Sequence, residues 1–202
     1  MTYIGIFDKY NWLTSHASKL TIPSQKQLEH DKGKARKILE TLRSYDDENL
    51  SSIQKASKKI AIFDTENTLL RLEAFPFHNY VLNQIGGAHI DMVEFMTDTH
   101  PIRNLTEAEA YIDRVRLFES VFEGYLYELN GQKAIDFYAP KFVYERVIAQ
   151  LDEFLNFSFE EHPIYTEFDR KIKDLDFSEE QKMQLRENLK QAIRQSIDKA
   201  FR

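Results

Sequence analysis

Between Asn79 and Phe95 the chain reads NYVLNQIGGAHIDMVEF, and its one Gly-Gly pair, Gly86–Gly87, is followed at once by His89, Asp91 and Glu94. Imidazole nitrogen and carboxylate oxygen are ligands for divalent metals, and both carry protons in acid–base catalysis. The stretch is therefore the first place to look for chemistry. Two further histidines, His78 and His100, lie in the same region, whereas His16, His30 and His162 are isolated. The spacing His89-x-Asp91-x-x-Glu94 does not force its donors to converge. A helical zinc site places ligands at i and i+4, with His-Glu-x-x-His as its usual form, and no His-Glu dipeptide occurs here. The alternative is a loop whose polar residues hydrogen-bond its own backbone.

Other catalytic patterns are missing. No Gly-x-Ser-x-Gly elbow is present, and Gly86–Gly87 lacks the Lys-Ser/Thr of a phosphate-binding loop. Glu160–Glu161 and Glu179–Glu180 fall where helices should start, and there they complement the helix dipole. The chain has 0 Cys, which removes disulfides, thiol catalysis and Cys-ligated zinc. The net charge is −6, and the cluster Lys55, Lys58, Lys59 has the spacing of a solvated helix face, so nucleic acid is not an expected partner. No apolar run reaches the length of a membrane span, and Met1 is followed by neither a basic start nor an apolar core. No signal peptide is read. As it stands the chain reads as cytoplasmic, while a longer version could be exported.

The elements that must position these residues are helical. Only 6 Gly and 5 Pro interrupt 202 residues, of which 42% are hydrophobic and 30% charged. Residues 1–22 are aromatic and irregular, an extended segment or a short helix. Ser24 to Gln27 offers a capping box for a helix to about Tyr45, with Ile38, Leu39 and Leu42 inward. After the acidic turn 46–49, Ile53, Ala56, Ile60, Phe63, Asn67, Leu70 and Ala74 form one stripe, and Pro76 ends that helix. Residues 76–104 are the least helical part, with a short helical run through Asp91 to Met96.

Thr106-x-x-Glu109 predicts the cap of a long helix with the stripe Tyr111, Val115, Phe118, Phe122, Tyr125, Leu129, stopped by Gly131. Gly124 lies inside it and needs another backbone close by to justify its cost of about 1 kcal/mol. Pro140 opens a helix with Val143, Val147, Leu151 and Phe154 on one face. Pro163 opens a shorter one to about Leu175. Ser178-x-x-Gln181 caps the last, with Leu185, Leu189, Ile193 and Ile197 inward. That helix reaches Arg202 without a stop signal and reads as cut, which would expose its apolar face. Tyr138, Tyr144 and Tyr165 could line a groove for a peptide or helix. The fold class expected is all-α: one domain over 1–202, an antiparallel multi-helix array with one long irregular segment at about 76–104.

Four segments in order carry a family resemblance: IGIFDKYNWLTSHAS at the start, FPFHNYVLNQIGGAHIDMVEFMTDTHPI, then LTEAEAYIDRVRLFESVFEGYLYELNGQKAIDFYAPKFVYERVIAQLDEFL, and HPIYTEF. Together they resemble the bacterial "domain of unknown function 885" family, which is similar to helical, cleft-forming zinc metallopeptidases. The resemblance implies a catalytic signature of His-Glu followed by Pro-Gly-His and a further acidic ligand. No position of this chain matches it, so catalytic and metal residues here are none, and zinc is implied only for a catalytic half outside these residues. The chain is then expected to be the N-terminal helical portion, a cleft wall or lid. Asn83, Gln84, Gly86, Gly87 and Asp91 match the family pattern in the loop and are the candidate cleft-lining residues, with a purely structural role for the loop as the rival. The implied partner is the missing catalytic region or a peptide, with a homodimer through an exposed helix face as a further expectation. The alternative reading is a stand-alone helical module that binds protein or peptide.

Overall fold

The computed structural model describes residues 16–202, and among these every regular element is helical. The expected all-α class is what the structure has. The reading of the aromatic N-terminal segment falls largely outside the described residues.

Helix α1 (Gln25–Ser44) starts at Ser24, whose hydroxyl accepts from the Gln27 amide. A 3₁₀ turn at Asp47–Asn49 leads to α2 (Ser52–Ala74), where Ser51 and Gln54 complete a capping box. Ion pairs Arg36–Glu73 and Arg43–Glu66 join the two helices with falling numbers on one against rising numbers on the other, so they form an antiparallel hairpin. Ala35 and Leu39 are buried in it, while Ile38, expected inward, is 41% exposed. The stripe on α2 does not enter the hairpin: no residue of α2 is buried, and Ile53, Ile60, Phe63 and Leu70 are all exposed. α1 packs instead on the opposite side of α2, where Lys58, Ala61, Thr65, Leu69 and Leu72 are half-buried.

The rest of the described chain builds one main core, with a small satellite of Ala139, Val143 and Val147 beside it. It contains α3 (Ala88–Glu94), continued by a π-helical turn at Phe95–Thr99, then α4 (Leu105–Arg116), α5 (Phe118–Ala134), α6 (Lys141–Leu155), α7 (Pro163–Lys173) and α8 (Glu179–Ala192). A second π turn, Ile193–Ile197, joins α8 to α9 (Asp198–Ala200). Tyr111, Ile112, Val115 and Phe118 pack there with Ile164, Phe168, Ile172, Leu189, Ile193 and Ile197. Ser196 and Lys199 meet Glu119, and Phe201 meets Phe122, so α8–α9 runs in the same sense as α4–α5. Two whole helices intervene in sequence, which frees the pair from the antiparallel arrangement that short links impose.

Several boundaries differ from those read in the sequence. The cap of α4 is Asn104, whose side chain accepts from the Glu107 amide, and not Thr106. The expected unbroken helix over 106–131 is broken at Leu117. There the Ser196 hydroxyl accepts from the Glu119 amide at 2.9 Å and donates to the Arg116 carbonyl at 3.0 Å. A side chain inserted into a helical ladder is a recognised cause of such a break. Gly131 is no stop, for α5 continues to Ala134. A Cβ at Gly131 would come 2.4 Å from a ring carbon of Phe77, so the glycine is a seat for that ring. Gly124 does meet a close backbone: a Cβ there would lie 2.5 Å from the Pro23 carbonyl oxygen. The final helix turns Leu185, Leu189, Ile193 and Ile197 inward as expected, and with Phe201 its apolar face is covered within the chain rather than exposed.

One buried cation organises the middle of the fold. Arg114, on α4, is wholly buried. It donates to the carbonyls of His16 (2.9 Å) and Lys19 (3.2 Å) and to His100 Nδ1 (2.8 Å), and its guanidinium lies 4.9 Å from the centre of the Phe95 ring. Guanidinium can only donate, so His100 Nδ1 must be bare and Nε2 carries the proton, directed at the Glu107 carbonyl. Burial, and then the charge of Arg114, push His100 down to about 3. Burial pushes His162 down to about 4. Lys171 closes the end of the first π turn, donating to the carbonyls of Met96, Thr97 and His100.

Two outcomes follow. Ser196→Ala leaves the Glu119 amide and the Arg116 carbonyl without their bridge and should cost about 1–3 kcal/mol, read as a lower melting temperature. The two buried histidines set a pH dependence. Their folded pKa values lie below the unfolded value near 6.5, so their contribution is complete above about pH 6.5 and is lost as pH falls toward 4 and 3. Denaturant unfolding at pH 7 and pH 5 should differ by about 2–4 kcal/mol, since each histidine supplies ~1.4 kcal/mol per pH unit. Equal stability at the two pH values would contradict this.

Candidate functional site

The loop before α3 is built from its own polar groups. The Asn83 side-chain oxygen accepts from the amides of Ile85 (3.0 Å) and Gly86 (2.8 Å), and the Gly87 amide donates to the Asn83 carbonyl at 3.1 Å. Such an Asx turn stands in for a backbone turn. The Ala88 amide then reaches the Val81 carbonyl at 2.9 Å, closing the loop at its base. Gly87 is the N-cap of α3, and a Cβ on it would sit 2.6 Å and 2.8 Å from the Asn83 nitrogen and oxygen. Gly86 has room, with only the Asp91 carboxylate 3.8 Å from such a Cβ. The Gln84 carbonyl accepts from Gln150 of α6 at 3.1 Å, and the same Gln150 side chain meets His89 Nε2 at 3.0 Å. Asn83, Gln84 and Gly87 therefore shape and anchor the loop.

Gly86 and Asp91 stand elsewhere, on the wall of a cavity of about 390 Å³. Its other walls come from residues 20–23, from Tyr80 and Val81, from Met92 and Phe95 on α3 and the π turn, and from Tyr125 and Glu128 on α5. Glu128 was not singled out in the sequence. It lies one residue off the α5 stripe, and only the packing of residues 79–80 against α5 shows that it faces a cavity. Burial pushes its carboxyl above the usual carboxylate range, while Asn79, 3.5 Å away, and Arg71 pull the other way. Gln132 of α5 also donates to the Asn79 carbonyl and holds that strip in place. Two acids in a wall that is otherwise largely aromatic and aliphatic suit a group with a cationic end and an apolar body.

The three histidines of this region do not meet. His78 packs its ring against Phe75 and Phe137, His89 turns to Gln150, and His100 to Arg114. His89 and Glu94 line a second, smaller cavity of about 200 Å³ with Gln150, Phe154 and Phe201, on a different wall from Asp91. Among the described residues no group of three or more His, Cys, Asp or Glu is placed to hold a metal ion. The described residues thus offer no seat for zinc, which the family resemblance implies only for a catalytic half outside this chain's residues. Tyr138 is exposed and Tyr144 and Tyr165 are half-buried; Tyr144 accepts from the Ala139 amide, and Tyr165 packs on the core. Among the described residues no helix is long and apolar enough to cross a membrane.

The fold and site define an all-helical array with a loop-walled cavity and, among the described residues, no group placed to hold a metal ion. The chain belongs to the family described as "Bacterial protein of unknown function (DUF885)", whose model matches residues 1–202. It is similar in structure to "the putative lipoprotein from Colwellia psychrerythraea", with a TM-score of 0.81 and 21% sequence identity over 92% of this chain. At that identity the likeness shows the fold. The match takes up 33% of that chain, so this sequence spans about a third of the length of the solved relative. Comparison with curated proteins finds no match.

The two glycines separate by experiment. Gly87→Ala forces a Cβ into the Asn83 backbone and should lower the melting temperature, whereas Gly86→Ala, with open space, should be neutral or raise it slightly. Thermal melts of the two variants side by side decide it, and equal losses would remove the distinction between anchor and wall.

Proposed function

We propose that the chain is the non-catalytic helical wall of a peptidase-like cleft, and that its loop-walled cavity receives the amino-terminal end of a peptide. The observation that carries this reading is the cavity itself: Asp91 and Glu128 beside Tyr80, Met92, Phe95 and Tyr125, in a volume within the range of small-ligand sites. A protonated amine beside carboxylates in a partly buried setting gains charge-assisted hydrogen bonds, and the aromatic walls take the first side chains. Hydrolysis, in this reading, belongs to polypeptide outside these residues, in keeping with the resemblance to metallopeptidases and with the longer solved relative. The second reading, a stand-alone helical interaction module, is favoured by the exposed apolar face of α2.

Titration of the chain with a fluorescent hexapeptide that begins Leu-Phe and has a free amino end tests the proposal. Binding is expected, and acetylation of that end or Glu128→Gln should weaken it about tenfold or more. The peptide should remain intact, with or without added zinc. Equal binding of the acetylated peptide would remove the cavity reading, and chelator-sensitive cleavage by the chain would overturn the assignment of a non-catalytic wall.

A further inference from the structure

On α2, Ile53, Ile60, Phe63 and Leu70 are 80, 62, 64 and 55% exposed. With Ala56, Asn67 and Ala74 they follow alternating steps of three and four along the side turned away from α1. These are the a and d positions of three heptads, the seam by which one helix docks on another. The helix has 23 residues, so the seam is about 34 Å long. None of the described residues packs over it, and apolar rows of this length on a surface mark interaction sites.

The geometry points to a second copy of this chain as the occupant, with two α2 helices packed antiparallel about a twofold axis. In that arrangement the layers match by size. Ile53 meets Leu70 of the second copy, Ile60 meets its Phe63, and Ala56 meets its Asn67. One amide hydrogen of Asn67 is already used, donating to its own Phe63 carbonyl at 2.9 Å. Charges beside the seam match as well. Lys59 lies next to Glu66 of the second copy on one flank, twice by symmetry, and Asp64 faces the neutral Ser57 on the other. A parallel pair would instead stack Phe63 on Phe63 and Asn67 on Asn67. Glu66 is available for this, since its pairing with Arg43 is at the surface and lets it take a second cation. The inference is independent of the peptide cavity, which lies on the other body of helices.

Sedimentation velocity on the intact chain at micromolar concentrations tests it, with a species of twice the 23.9 kDa chain mass expected. Phe63→Glu and Ile60→Glu should each weaken the dimer about thirtyfold or more, as removal of a central interface anchor does, without lowering the melting temperature of the diluted monomer. Met183→Glu, at an exposed apolar residue on α8, should change nothing. Lys59→Glu should weaken the dimer, and Lys59→Glu combined with Glu66→Lys should restore it. A monomeric wild-type chain overturns the inference and leaves the seam to a different polypeptide. A dimer indifferent to Phe63→Glu places the contact elsewhere, and failure of the double swap to restore association rules out the antiparallel register.

Discussion

A guanidinium cannot give up its proton, so the burial of Arg114 dictates what may surround it. Among the described residues its neighbours include acceptors and a π face: the carbonyls of His16 and Lys19, the bare nitrogen of His100, and the ring of Phe95. They come from two stretches of the chain, residues 16–19 and 95–100. The segment leading into α1, the first π turn and the last turn of α4 are thereby fixed on one another. A neutral His100 is part of the same constraint, because a second proton there would place two cations in contact and delete a hydrogen bond. Lys171 adds to it from α7 by taking up the carbonyls that the π turn leaves unpaired.

The candidate cavity is a by-product of that arrangement. Once Lys19 and Phe95 are held at Arg114, residues 20–23 must pass along one side of α3, and Pro23 then lies against Gly124 of α5. On the far side Phe77 sits on Gly131, and Gln132 holds the Asn79 carbonyl. Two glycines on one helix thus admit two separate segments to α5, and the space left between those segments is where Asp91 and Glu128 face each other's wall. The loop's polar residues divide the work. Asn83 spends its side chain on the turn, Gln150 fixes the loop from α6, and Gly86 and Asp91 line the cavity.

The α1–α2 hairpin is built on different physics. It is held by surface ion pairs and by the half-buried faces between its two helices, with Ala35 and Leu39 as its buried residues. Its long apolar seam faces out, while the comparable stripes on α4 and α8 face in. A stripe records only that one side of a helix prefers to leave water. It carries no information on whether the same chain or another one covers it.

The sequence by itself determined the helical class and most helix starts, because capping residues and 3.6-residue periodicity act within a few positions. Ser24 and Ser178 cap as their spacing indicates, and Leu185, Leu189, Ile193 and Ile197 all turn inward. It also placed Gly86 and Asp91 in a segment worth attention. The break at Leu117 was beyond it, because the cause is a serine 79 residues further on. So was the use of Gly131 as a seat for Phe77, since a helix stop and a close contact ask for the same residue. Tertiary structure alone decided that His89 and Asp91 part company, that Glu128 joins the cavity and that the α2 stripe faces solvent. Those outcomes depend on contacts between segments far apart in the chain, and local propensity does not encode which segments meet.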